Sequence, residues 1–368
     1  MPRKEVLSSR ERVRLALEHQ ETDRIPIAMV CAGINPPAYQ QLESYLQKQQ
    51  DISEDGFTIA NHVATYLSPL IDIRGVGPEY VGPRLGNGED IWGVRRKPVS
   101  YGEGSYSEIY FYPLADAKSM DDLKKHRWPE TSWFDYSVLP QRIAAASADG
   151  EHCLMVANGN IFETSWYMRG FEQMFMDFVL NPELAHGIME RVTNFYIEHL
   201  KKMLAAAKGG VDLAFTADDI GSQKGLLMSL SMWEEFIKPY HIRLNKVIHE
   251  FGVKVIYHTD GAIMEAVDGL IDMGIDVLQA LQFSADGMDP MELKQKYGNL
   301  LCFEGGVSVQ TTLPFGSQED VRREVKELIT VLGKNGGYIL GPSHAIQAGT
   351  PPENIVAMFD TAESFYPF

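Results

Sequence analysis

Val253-Lys254-Val255-Ile256-Tyr257-His258-Thr259-Asp260-Gly261 is an apolar, strand-like run that closes on a histidine and passes at once into turn residues. A second stretch repeats the pattern: Gly337-Tyr338-Ile339-Leu340-Gly341-Pro342-Ser343-His344. Interiors of parallel strands must be apolar, so polar residues collect where such strands end. If both strands belong to one parallel barrel, their carboxyl ends open on the same mouth, where such barrels keep their chemistry. Two imidazoles and the carboxylate of Asp260 would then converge on one metal ion.

The flanking sequence supports a barrel. From about residue 150 the spacing predicts strand Cys153 to Ala157, helices through Phe171 to Ala206, strand Leu213 to Thr216, helix Met232 to Phe251 and strand Val253 to Tyr257. Helix Ile263 to Met273, strand Val277 to Leu281, helix Pro290 to Lys296 and strand Leu300 to Phe303 follow. Helix Glu319 to Leu332, strand Tyr338 to Leu340 and helix Pro352 to Ala362 complete the run. Short apolar strands alternating with longer amphipathic helices argue a parallel sheet with helices outside. The fold class expected is α/β, a (β/α)8 TIM barrel over residues 1–368 as a single domain, with helical and loop excursions near its amino terminus.

Helix ends carry their own signals. Ser8 with Glu11, Ser231 with Glu234 and Ser317 with Asp320 read as capping pairs, and Gly252 and Gly333 as stops. A strand Ile27 to Val30 and a helix from Ala38 to Gln47, behind Pro36-Pro37, precede the regular region. Between 65 and 130 the chain is rich in Gly, Pro, Tyr and charge, which suggests excursions or a small antiparallel ribbon.

Composition excludes several classes. The chain has 368 residues, 45% of them hydrophobic, and carries 50 acidic against 33 basic residues for a net charge of -17. That field repels a phosphate backbone, and no dense basic cluster offsets it, so nucleic acid is not an expected partner. Cys31, Cys153 and Cys302 are too far apart for a CxxC pair and read as reduced thiols in a cytoplasm. Met1-Pro2-Arg3-Lys4-Glu5 leads into a charged helix rather than an apolar leader core, and no run is long enough to span a bilayer, so neither export nor membrane insertion is expected. The oligomeric state is left open, a homo-oligomer included.

Just past the strands stand Asn158, Asp218 and Asp219, His258 and Asp260, Gln279 and Gln282, Glu304, and His344. Each has a plain structural alternative: Asp218 or Asp219 as a helix cap, Asn158 as a turn residue, Gln279 bonded to backbone, a histidine as a satisfied polar group. Jointly, His258, Asp260 and His344 offer nitrogen and oxygen donors suited to zinc with one position open, with manganese or iron as alternatives. Glu304 would be a fourth ligand or an acceptor that orients an imidazole.

Four stretches carry a resemblance: Asp218-Asp219-Ile220-Gly221-Ser222-Gln223-Lys224-Gly225, Phe236-Ile237-Lys238-Pro239-Tyr240, His258-Thr259-Asp260-Gly261, and Gly341-Pro342-Ser343-His344 with Thr350-Pro351-Pro352-Glu353-Asn354-Ile355. Together they resemble the uroporphyrinogen decarboxylase superfamily, which contains two chemistries. Its decarboxylases strip acetate side chains of a tetrapyrrole without a cofactor and carry arginines after the first strand that bind the substrate carboxylates. Here that place reads Met29-Val30-Cys31-Ala32-Gly33-Ile34-Asn35-Pro36-Pro37, with no arginine to form those forks.

The other branch, the cobalamin-dependent methyltransferases, carries zinc on a His-x-Cys pair and a distant Cys. His258 matches the first ligand, Asp260 stands at the first Cys, and His344 stands at the second. The frame is kept and both thiolates are replaced, which argues against thiol activation. A metal held by oxygen and nitrogen is the stronger Lewis acid. The resemblance therefore implies a zinc-dependent methyltransferase moving a methyl group from a methyl ether, a methoxylated aromatic above all, to the cobalt of a separate corrinoid protein. Asp218 or Asp219 would protonate or position the ether oxygen. Phe162, Trp166, Tyr167 and Tyr257 would line an aromatic pocket with Asn158 and Gln279, ordinary packing being the alternative for each ring. The rival readings are a metal-free decarboxylase and a non-catalytic barrel that binds a corrinoid or tetrapyrrole.

Overall fold

The computed structural model describes residues 6–30, 33–50, 61–102 and 104–368. Seven strands form one sheet in chain order: β1 (Ile73–Gly75), β2 (Cys153–Asn160), β3 (Leu213–Ala217), β4 (Lys254–His258), β5 (Val277–Ala280), β6 (Cys302–Val307) and β7 (Tyr338–Pro342). Every neighbouring pair is parallel. Parallel neighbours require crossover connections, and the amphipathic helices supply them.

The eighth place is not a regular strand. Ile27 makes an isolated parallel bridge with Leu340 of β7. Ala28 N–H donates to the Leu340 carbonyl at 2.9 Å, Leu340 N–H to Pro26 at 2.8 Å, and Asp72 N–H to Ile27 at 2.8 Å. One bridged residue thus touches both edges of the sheet, where the sequence suggested a strand from Ile27 to Val30. Pro26 has no N–H to extend the ladder on its side.

Alternation along the strands sorts the core into two compartments. Ile73, Met155, Leu213, Ile256, Val277, Cys302 and Ile339 form an inner cluster with Ala28, and Val13 and Ala16 of helix Ser9–Leu17 pack into it. Tyr257, Leu278, Phe303 and Leu340 belong instead to the cluster that the helices cover. Two residues beyond Ile256, Val277 and Cys302 come His258, Gln279 and Glu304. The inner layer at the carboxyl ends of β4, β5 and β6 is therefore polar.

A buried charge cluster ties the amino-terminal segment to the sheet. The Asp72 carboxylate, fully buried, accepts from Arg12 Nη1 at 2.7 Å, Arg24 Nη1 at 2.7 Å and Ile27 N–H at 2.8 Å.

Several expected boundaries shift. The stretch foreseen as helices through Phe171 to Ala206 is preceded by helix Ile161–Arg169, then divides into Phe171–Leu180 and Pro182–Ala207 at Gly170 and Pro182. Likewise Met232 to Phe251 is two helices, Leu230–Phe236 and Lys238–Glu250, because Pro239 starts the second. The cap of the first is Ser229, whose side chain accepts from Met232 N–H, rather than Ser231. The pairs Ser8 with Glu11 and Ser317 with Asp320 are capping boxes. An antiparallel hairpin, Arg95–Tyr101 with Gly104–Phe111, is the ribbon foreseen between 65 and 130. Tyr101 at its end donates to Gln347 Oε1 at 2.9 Å, which holds the hairpin against the loop behind His344. β1, in the same stretch, was hidden by its brevity and its Gly/Pro-rich surroundings.

Cys153 and Cys302 are free thiols, and burial raises both, Cys302 to about 12. Cys31 lies outside the described residues, as does part of the Met29 to Pro37 segment. Among the described residues no helix is long and apolar enough to cross a membrane.

Candidate metal centre

β4 delivers His258 from its last position, and the chain turns immediately afterwards. Gly261, at φ +89°, lets that turn close, because a Cβ there would lie 2.6 Å from the Ser222 carbonyl oxygen. Asp260 projects from the same turn, its N–H held by Asp219 Oδ1 at 2.9 Å. His344 stands two residues beyond β7. One ligand atom from each of His258, Asp260 and His344 lies within 4.8 Å of the others.

The two imidazole centroids are 5.8 Å apart, and His344 Nε2 is 3.8 Å from Asp260 Oδ2. Ligands about 2.0–2.1 Å from a tetrahedral zinc sit roughly 3.4 Å from one another, so side-chain rotation of about an ångström would complete the shell. His258 is nearly buried, whereas Asp260 and His344 are partly exposed. Such an arrangement leaves one side open to an incoming group. Burial pushes the Asp260 carboxyl above its usual range, with the His258 imidazole opposing, Asp219 adding to the rise and His344 opposing. A bound cation would relieve that cost.

His258 is oriented from below. Its Nδ1 meets Gln279 Oε1 at 2.5 Å, so Nδ1 carries the proton and Nε2 is left as the lone-pair donor. Gln279 is thus turned toward the histidine rather than toward a substrate. Gln279→Leu is expected to lower metal affinity about 10–100-fold without changing the ligand set, read by competition with a chromophoric chelator. Unchanged affinity would show that the amide does not orient the ring.

Glu304 is fully buried in the same inner layer, beside Gln279 in register. Its Oε1 lies where a Cβ at residue 341 would approach to 2.8 Å, so Gly341 makes room for it. Glu304 is not among the three residues whose ligand atoms gather.

The two adjacent aspartates part company. Asp218 is fully buried and accepts from Phe162 N–H and Glu163 N–H, each at 2.8 Å, and from His241 Nε2 at 2.6 Å. It caps helix Ile161–Arg169 from a neighbouring strand, and burial raises its pKa against those three donors. Asp219 faces the mouth, its Oδ1 3.5 Å from His258 Nε2.

The foreseen pocket residues also divide. Phe162 is buried against Phe175 and Phe178. Tyr257 is buried between sheet and helices, its hydroxyl donating to the Asp218 carbonyl at 3.3 Å. Asn158 turns to the Tyr196 carbonyl at 3.2 Å. None of these three is brought to the metal-ligand set. Trp166 and Tyr167 are partly buried, packed edge to face with centroids 4.3 Å apart, and the Arg96 guanidinium of the hairpin lies 4.9 Å from the Tyr167 ring centroid.

Two features escaped the sequence reading. The first is the pairing of Gln282, itself foreseen as a strand-end polar residue: it accepts from Gly261 N–H at 3.0 Å and donates to Gln310 at 2.9 Å, which steadies the turn that carries Asp260. A cavity of about 260 Å³ opens beside it, with Asp260, Ser343, His344 and Gln347 in its wall. The second feature is Glu163, almost buried, which accepts from Asn160 Nδ2 and from the Tyr167 hydroxyl, both at 2.7 Å. The spacing Asn160, Glu163, Tyr167 behind a strand was the available signal.

Parallel strands with crossover helices, and two histidines and a carboxylate gathered at one end of the sheet, define a barrel-type protein with a candidate metal centre. A sequence profile of the uroporphyrinogen decarboxylase (URO-D) family matches residues 97–365, more than half of the chain, and the chain belongs to that family. It is 29% identical over 196 residues to a methylated-thiol–coenzyme M methyltransferase of Methanosarcina mazei, covering 53% of this chain and 49% of that protein. It is 25% identical over 197 residues to a uroporphyrinogen decarboxylase of an Anaeromyxobacter species, covering 54% and 53%. The chain thus spans about half the length of these curated relatives. A methyltransferase structure from Methanosarcina mazei superposes with a TM-score of 0.66 at 18% identity, over 98% of this chain and all of that one, which establishes likeness of fold.

Proposed function

We propose that this chain is a methyltransferase that takes a methyl group from a methyl ether, a methoxylated aromatic foremost, and delivers it to the cobalt of a separate corrinoid protein. The observation that carries the reading is the convergence of His258, Asp260 and His344 at the mouth. These residues would hold zinc, which supplies Lewis acidity toward the oxygen of the ether being cleaved. Similarity to a methyltransferase in part of the sequence supports the same branch of the family.

The chain's own residues divide the remaining work. Gln279 fixes the His258 tautomer, so that Nε2 faces the mouth. Asp219, 3.5 Å from that nitrogen, sets the local negative potential and helps to orient the ligand turn through Asp260 N–H. Trp166 and Tyr167 offer ring faces for an aromatic donor. The open side beside His344 and Asp260 leaves an approach for a docked corrinoid domain. We read the whole chain as one barrel domain, with the Ile27 segment as its eighth stave.

Incubation with zinc, a cobalt(I) corrinoid protein and a panel of methoxyarenes tests this. The expected result is conversion of the cobalt(I) spectrum to that of methylcobalt(III) with release of the phenol. A spectrum unchanged by every donor and carrier would refute it. The similarity to named decarboxylases favours one rival, a metal-free decarboxylase. Consumption of uroporphyrinogen by metal-stripped protein would install that reading instead.

A further inference from the structure

We propose that Glu163 is the proton donor that turns the leaving oxygen of the methyl ether into a free hydroxyl. This rests on the ether-cleavage reading above. Glu163 sits in the first turn of helix Ile161–Arg169, directly behind the carboxyl end of β2. Asp218 pins that turn by accepting both Phe162 and Glu163 N–H. The carboxyl is therefore carried on a rigid mount anchored by Asp218, the residue just past β3, and the next residue, Asp219, faces His258. Asn160 and Tyr167 fix its two oxygens, and Arg96 backs the Tyr167 ring.

The charges around it favour the protonated form. Burial comes first, then the negative charges of Asp219 and Asp218, and together they push the Glu163 carboxyl up to about 7, against the hydroxyl of Tyr167 and the amide of Asn160. The helix amino terminus also opposes the rise. The other titratable groups nearby are Tyr257, whose own pKa feels Glu163, His241 behind Asp218, and Tyr196, which feels Asp218. Arg96, a cation over the Tyr167 ring, is paired with Asp90. A carboxylic acid held near neutrality is matched to proton donation at working pH.

The balance is simple. The O–CH3 bond breaks with its electron pair on oxygen, while the methyl carbon bonds to the cobalt(I) of the partner's corrinoid, which becomes methylcobalt(III). The oxygen takes the Glu163 proton and leaves as phenol or alcohol, and solvent reprotonates the carboxylate before the next turnover. Nothing is oxidised beyond the cobalt.

The test compares wild type with Glu163→Gln on methyl ethers of graded leaving-group acidity. Expected is a roughly hundredfold fall in kcat for an ether of a weakly acidic phenol, and near-wild-type rates for a nitrophenyl ether that needs no proton. Wild-type rate on the weak leaving group should decline as pH rises through about 7, and the variant should lack that limb. Infrared difference spectra of wild type against the variant should show a protonated carboxyl band that vanishes over the same range, a readout independent of turnover. Should Glu163→Gln fail to fold, Tyr167→Phe serves: loss of a donor to the carboxylate should move the limb to higher pH. An active wild type matched by Glu163→Gln on every ether, an unmoved limb in Tyr167→Phe, or no titrating band overturns the proposal. A wild type inactive on all ethers overturns the underlying reading and this role with it.

Discussion

Alanine at His258 or His344 is expected to reduce bound zinc from about one ion per chain to near none, because two remaining ligands rarely hold the ion against solvent. Metal bound at a hundred times its Kd stabilises the folded state by about 2.7 kcal/mol, so wild-type protein should melt several degrees higher with zinc and each variant should not. Methyl transfer should fall roughly a thousandfold, the equivalent of about 4 kcal/mol of lost electrostatic help at the leaving oxygen. Elemental analysis after dialysis, together with thermal melts, provides the measurement. Retention of full metal content by both variants would dismiss this ligand set.

The largest stability effect is expected far from the mouth, at Asp72. Its carboxylate answers Arg12, Arg24 and Ile27 N–H at once, and Asp72 is fully buried. Asp72→Ala would remove the buried carboxylate that two enclosed guanidinium groups and an amide share, a change worth about 3–5 kcal/mol. Urea denaturation should show the midpoint falling with little change in slope. A loss below about 1 kcal/mol would mean that Asp23, which also pairs with Arg12 at 2.7 Å, carries the cluster by itself.

The gathering of His258, Asp260 and His344 was legible because its signal is local: an apolar run that closes on a histidine, seen twice, with Asp260 and Gly261 in the turn behind the first. The parallel sheet was legible for the same reason in its regular half. Elsewhere the deciding contacts were distant. Asp218 caps a helix that begins 57 positions earlier, at Ile161, so nothing near Ser165 or Trp166 announced that helix. Its hidden start also concealed Glu163. Tyr257 could be read as a pocket wall because an aromatic ring suits either face of a sheet, and Phe162 because the helix that carries it inward was not foreseen. Gln279 was recognised as a strand-end polar group, but its partner was settled by the register between β4 and β5. β1 was lost because three residues carry too little periodicity.

The seam at Ile27 joins two stretches of chain that are far apart in order of synthesis. Leu340 emerges more than three hundred residues after Ile27, so both flanks of the growing sheet stay bare over that interval. Long sequence separation of this kind slows folding, and unpaired strand flanks invite association between nascent chains. Trimming the chain past Ile27 should make that exposure permanent, yielding aggregates rather than a smaller soluble barrel.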